Sequence, residues 1–252
     1  MHWIVKLLAP LFLLVLAQAQ PDNPTDRFRK GNQAMQSEHY EEAVQQYESL
    51  LSQGFEHPDL YYNLGNAYYR LGLIGKAVWA YEKGRQFAPR DPDINYNLEL
   101  VNARIPDRIE LPETLFILQW YRVFKHQFTL GDLLTLGSGL LVLSAVFFLL
   151  RVRFPRKSSW LLSVSIFVGI VSLGIHGVAL DKYWELTDSQ EAVVVEPEIL
   201  AYSAPLERPE TVQFKLHEGT KIEITQTQPG WVEIILLDGK KGWVRTRSIL
   251  ML

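Results

Sequence analysis

The chain has 252 residues, of which 48% are hydrophobic and 21% charged, and its formal net charge is −3. That balance excludes the basic footprint needed for nucleic acid, so no nucleic-acid partner is expected. The absence of cysteine excludes disulfides, a thiolate nucleophile, cysteine metal ligation and a lipid-modified cysteine anchor. At the N-terminus, Met1–Lys6 carries a lysine and a histidine. Leu7–Ala17 is then an apolar run of 11 residues, and Ala17-Gln18-Ala19 has the small-x-small pattern. This order is that of an export signal over residues 1–19. Such a run spans roughly 17 Å as helix, short of a bilayer core of about 30 Å. Whether cleaved or kept as an anchor, the segment implies export of the residues after it.

Residues 24–108 repeat with a period of 34. Pro24, Pro58 and Pro92 keep it, as do Gly31 and Gly65, Ala43 and Ala77, Tyr47 and Tyr81, and Leu64 and Leu98. The segment Tyr61-Tyr62-Asn63-Leu64-Gly65-Asn66-Ala67-Tyr68, followed by Ala77, Tyr81 and Pro89, resembles the tetratricopeptide repeat (TPR). The resemblance implies an all-α solenoid with repeats at 24–57 and 58–91 and a capping helix at 92–104. Gly65 and Ala77 are expected where the two helices of a repeat cross closely, with Tyr68 and Tyr81 beside them. Pro89 ends the second helix. TPR arrays receive peptides or proteins, and the resemblance places Phe28, Asn32, Met35, Tyr62, Asn66, Tyr69 and Tyr96 in the groove. The alternative is that the tyrosines of this set simply pack between repeats. Asn32 and Asn63 match the asparagines of carboxylate-clamp TPRs. Phe28, Asp93 and Asn97 stand where the clamp's cations belong, so an aromatic groove is expected instead.

Residues 109–129 read as an amphipathic segment, with Leu111, Leu115, Leu118 and Phe128 near helical spacing and Trp120, Tyr121 and Phe124 beside Arg122 and Lys125. It is expected to lie at a membrane interface or to pack on the repeats. Two spans come next, at 131–150 and 160–180. Leu133–Leu150 and Trp160–Leu180 carry no Asp, Glu, Lys or Arg, and membrane lipid is the implied partner. The loop 151–159 holds Arg151, Arg153, Arg156 and Lys157, and a short basic loop stays cytoplasmic. Both flanking modules are therefore expected on the outer, periplasmic face of a bacterial inner membrane. Ser165, Gly169, Ser172 and His176 share one face of the second span, where small residues admit a neighbouring helix. His176 is expected to pair with Asp132 or to reach the interface, and a transport role is the remaining alternative.

Residues 181–190 read as a polar linker. About five short strands are expected in 191–252, at 192–196, 212–216, 221–227, 231–237 and 242–245, with Ile249-Leu250 closing the chain. Pro229-Gly230 and Asp238-Gly239 serve as turns. The segments Ala201-Tyr202-Ser203-Ala204-Pro205, Pro229-Gly230-Trp231-Val232-Glu233-Ile234 and Gly242-Trp243-Val244 resemble bacterial SH3-like (SH3b) domains. That implies an all-β barrel whose Tyr202, Trp231 and Trp243 either face a peptide or cell-wall ligand or pack inside. The six histidines lack metal-ligand spacing, and no phosphate loop or nucleophile elbow is present, so neither cofactor, metal nor enzymatic activity is expected.

The order of parts resembles the BatE family of bacterial aerotolerance (Bat) operons. The resemblance implies a scaffold working beside von Willebrand A-domain membrane proteins and a MoxR-type AAA+ ATPase, in an aerotolerance or envelope-stress complex. Peptidoglycan tethering and signal relay are the alternative roles.

Overall fold

The computed structural model describes residues 23–109, 115–154, 159–188 and 190–252. The export signal at 1–19, and Arg156 and Lys157 of the basic loop, lie outside the described residues. Five helices come first: α1 (Pro24–Gln36), α2 (Tyr40–Ser52), α3 (Pro58–Arg70), α4 (Ile74–Phe87) and α5 (Pro92–Asn102). The three prolines of the 34-residue period open α1, α3 and α5, where the missing N–H costs no helical bond. Asn23, His57 and Asp91 cap these helices with side-chain acceptors. The small residues mark the crossings. A Cβ on Gly31 would stand 2.5 Å from the Tyr47 ring, and one on Gly65 would stand 2.6 Å from the Tyr81 ring. Ala43, Ala77, Tyr47 and Tyr81 are all fully buried there.

Helix α6 (Phe116–His126) precedes α7 (Leu130–Arg153) and α8 (Ser159–Asp188). The last two are long and apolar enough to cross a membrane. They pack on each other through the small-residue face read from the sequence. Ser144 and Ser165 exchange hydroxyl-to-carbonyl bonds of 2.8 and 2.9 Å, and Ser172 Oγ donates to the Gly137 carbonyl at 2.7 Å. Gly137 has no side chain because the His176 ring lies over it, 2.7 Å from where a Cβ would be. The expected His176–Asp132 pair does not form. Asp132 caps α7 with Thr129 and binds Arg90 at 3.0 Å. His176 Nδ1 instead donates to the Ser172 carbonyl one turn back on its own helix, at 2.8 Å.

The polar linker at 181–190 is largely helix, because α8 continues to Asp188. Charge ends an apolar run without ending a helix, and the charges here have partners on α6. Lys125 Nζ reaches Asp181 at 2.8 Å and Glu185 at 3.0 Å, and the Tyr121 hydroxyl donates to Asp181 at 2.7 Å.

The C-terminal part is a seven-stranded antiparallel sheet: β1 (Glu191–Val194), β2 (Glu198–Tyr202), β3 (Val212–His217), β4 (Lys221–Gln228), β5 (Trp231–Ile235), β6 (Lys241–Arg245) and β7 (Ile249–Met251). Its order is β3-β2-β6-β5-β4-β1-β7, and no pairing among the described residues joins the two ends into a closed barrel. Strand β2 is absent from the sequence reading. Only Ile199 and Ala201 point inward from it, and a bulge follows Ala201. The expected turn at Asp238-Gly239 closes the β5–β6 hairpin, with Gly239 at φ +88°, a conformation that favours glycine.

Candidate functional site

The expected groove residues divide into two roles. Asn32 and Asn66 hold the repeats together. The Tyr47 hydroxyl donates to Asn32 Oδ1 at 2.6 Å, and Asn63 Nδ2 donates to the same oxygen at 3.1 Å. One period later, Tyr81 donates to Asn66 Oδ1 at 2.7 Å and Asn97 Nδ2 at 2.9 Å. Each asparagine oxygen thus ties the second helix of its own repeat to the first helix of the next. Burial raises the Tyr47 and Tyr81 hydroxyls well above the usual phenol range, so both remain protonated donors. Phe28 and Tyr62 also pack inward, 5.9 Å from the Tyr47 ring and 6.3 Å from the Tyr81 ring respectively. Asn63 and Asn97, which stand at clamp positions in the sequence, are part of the same ladder.

Met35, Asn66 and Tyr69 do meet at a cavity. They line a pocket of about 340 Å³ together with Arg70, Tyr81, Asn97, Leu100 and Val101. Its walls come from α1, α3 and α5, with Tyr81 of α4 behind. Tyr96 stands 66% exposed on α5 and is not among the lining residues. A cationic rim is present that the sequence does not announce. The Arg104 guanidinium lies 4.7 Å from the centre of the Tyr69 ring, and Arg70 lies 4.7 Å from that of Tyr40. The pocket therefore offers apolar side chains, an amide ladder and Arg70 held against Tyr40, with Arg104 stacked on the Tyr69 ring beside it.

In the sheet, the three residues expected at a ligand surface contact one another. Tyr202 meets Trp231 edge-on at 5.7 Å and pairs with Trp243 across β2 and β6. Trp231 and Trp243 are each only 7% exposed, and Arg245 covers the Trp231 ring at 4.1 Å. Both tryptophans are thus packing residues and present little surface to a ligand.

The least expected feature is a joint between repeats and sheet. Helix α4 lacks a side-chain cap of its own at Leu73. Its Gly75 N–H, one of the amides that no helix satisfies internally, donates to Glu218 Oε2 in the β3–β4 turn at 2.8 Å. Trp79 Nε1 donates to the Met251 carbonyl at 2.7 Å, and Lys221 pairs with Glu82 at 3.0 Å. Val193 of β1 and Leu252 join the hydrophobic core of the repeats. Gly219 turns at φ +88° under Ile105, leaving no room for a side chain.

Asp107 fastens the joint from the chain after α5. Its Oδ2 accepts from the His217 N–H and from Thr220 Oγ1, each at 2.7 Å, and its Oδ1 accepts from His217 Nδ1 at 2.7 Å. Burial pushes this carboxyl up, but the bonds from Thr220 and His217 outweigh it and hold the group below the usual carboxylate range. Three donors converge on two oxygens, so the amide of Asp107→Asn would turn an N–H₂ toward a donor. That variant is expected to lose about 2 kcal/mol of stability. A depressed folded pKa stabilises above the unfolded value and is lost as pH falls through the folded one. The native joint should therefore weaken below about pH 4, and the variant should show a flatter acid dependence. Thermal unfolding followed across pH checks both expectations.

A family model for the TPR repeat matches residues 31–72, from the first helix of one repeat to the end of the first helix of the next. Comparison with curated proteins returns no match. TPR domains mediate protein–protein interaction, and the helical repeat here is accordingly an interaction scaffold.

Proposed function

We propose that the chain is a membrane-anchored, non-enzymatic scaffold. In this reading it presents a protein-binding TPR groove, braced by an SH3-like barrel, on the outer face of a bacterial inner membrane. The observation that carries it is the division of labour around the repeats. The sheet docks on α4, while the pocket beside Met35 and Tyr69 is walled by α1, α3 and α5, and among the described residues none from the sheet lines it. Membrane anchoring is supported by apolar side chains exposed around α7 and α8, such as Leu141 at 54%, Phe167 at 67% and Leu173 at 70%. A helix pair apolar in this way needs lipid or protein around it. Orientation rests on the export segment and the basic run from Arg151 to Lys157. The order of modules supports a place in an aerotolerance or envelope-stress complex, beside von Willebrand A-domain proteins and a MoxR-type ATPase. Burial of Trp231 and Trp243 favours a scaffold over cell-wall tethering, which would need an aromatic platform open to solvent.

A photo-crosslinking residue at Leu100, in full-length protein in native membranes, is expected to capture a partner protein. Tyr69→Ala should abolish that crosslink, because the ring lines the pocket and Arg104 stacks on it. Capture unchanged in Tyr69→Ala, or crosslinks within the chain alone, would refute the groove.

A further inference from the structure

A larger cavity, of about 1150 Å³, lies where α4, α6, the outer end of α8 and the sheet meet. It exceeds most small-ligand sites in volume. Five cations line it (Lys83, Arg85, Arg122, Lys182 and Lys221) against three carboxylates. Two of the carboxylates are neutralised by neighbours. Glu82 holds Arg85 and Lys221, and Glu185 holds Lys125. Among the described residues, Lys83, Arg122 and Lys182 have no carboxylate within ion-pair distance. Lys182 is only 8% exposed, and among the described residues its hydrogen bond is to the Lys125 carbonyl at 3.3 Å. A buried ammonium so placed calls for an anion. Burial also lowers Lys83, against the pull of Glu56, and raises Glu191, against the pull of Lys221, as expected of a poorly solvated cavity.

Position selects the kind of anion. Helix α6 divides into three faces. Tyr121 and Lys125 bind α8, and Gln119, Arg122 and His126 line the cavity. Phe116, Ile117 and Trp120 are 76%, 64% and 76% exposed and are not among the cavity's lining residues. Lys182 and Glu185 come within a turn or so of Leu180, where the apolar run of α8 ends. With α7 and α8 in a bilayer, the cavity would open at the depth where the phosphate layer meets the acyl chains, with an exposed apolar helix face alongside.

We propose that this cavity binds the phosphate of an anionic phospholipid, with Lys182, Lys83 and Arg122 around the headgroup and the acyl chains along the apolar face of α6. The assignment rests on the membrane-anchored reading above. The test uses the full chain in nanodiscs of phosphatidylcholine with or without phosphatidylglycerol, and native mass spectrometry counts the phosphatidylglycerol retained after transfer to detergent. Lys182→Gln and Arg122→Gln should each reduce retention about fivefold. Arg153→Gln, at the opposite end of the helix pair, should leave it unchanged. Equal losses in all three variants, or retention unaffected in Lys182→Gln, would overturn the site. Displacement by inorganic phosphate as effective as by lipid would reassign it to a soluble anion. Capture of an acidic protein segment by a crosslinker at Gln119 would reassign it to a partner. Recovery of the chain without any bilayer would instead overturn the membrane reading itself.

Discussion

Gly75→Val is expected to detach the sheet from the repeats. A Cβ at this position would overlap the Val194 carbonyl oxygen and come within 2.9 Å of the Val195 Cα. Both are backbone atoms, at the end of β1 and in the residue after it, so no side chain can swing aside. Overpacking of this kind costs about 1–3 kcal/mol when the surroundings can adjust, and more when they cannot. The strain is relieved most cheaply by opening the joint. Opening breaks the Gly75–Glu218 and Trp79–Met251 bonds and exposes Val193. Peptide-resolved hydrogen exchange should then show lost protection around His217 and Gly219 while the interior of α3 stays protected. Native exchange at 217–219 in this variant would mean that the contact is not a constraint in solution.

Tyr81→Ala is expected to be the most damaging single truncation in the repeats. The ring is 1% exposed and fills the crossing that Gly65 leaves open. Its hydroxyl is one of the two donors to Asn66. Removing a buried aromatic ring costs about 3–5 kcal/mol, against a total stability of about 5–15 kcal/mol for a domain. Tyr81→Phe keeps the ring and loses only the hydrogen bond, so about 1 kcal/mol is expected. Denaturant-dependent exchange of α3 and α4 measures both. A Tyr81→Ala loss no greater than that of Tyr81→Phe would show that the crossing is loosely packed.

Much of this architecture is legible in the sequence because its causes are local. A proline every 34 residues sets the start of each first helix, and Gly31 and Gly65 mark crossings that admit no side chain. Ser165, Gly169 and Ser172 lie on one helical face, and that face does pack. Asn32 and Asn66 bond repeat to repeat, a role the TPR resemblance does not announce although the sequence carries a signal for it, and Asn66 lines the pocket as well. Tyr47 and Tyr81 each follow an asparagine by 15 residues, and Asn63 and Asn97 each follow one by 31. A polar residue that keeps the period together with its partners is more simply a structural bond than a ligand contact. The joint is not legible. Gly75 and Glu218 are 143 residues apart, and nothing local to either residue announces the other. The uncapped start of α4 at Leu73 is the one available hint, since an unsatisfied helix end needs a partner from elsewhere. The cationic rim is hidden for a similar reason, because Arg104 lies beyond the last repeat helix and reaches Tyr69 only through the fold.

If repeats and sheet form one rigid body with the groove left open, the distance between the two modules must be fixed. The chain has no cysteine, so two can be introduced without background. Spin labels at Arg70→Cys and Lys240→Cys, one on each module, report that distance by pulsed electron resonance in reconstituted full-length protein. A single narrow distribution that broadens in Gly75→Val is the predicted result. A broad distribution in the otherwise native chain would contradict a rigid joint.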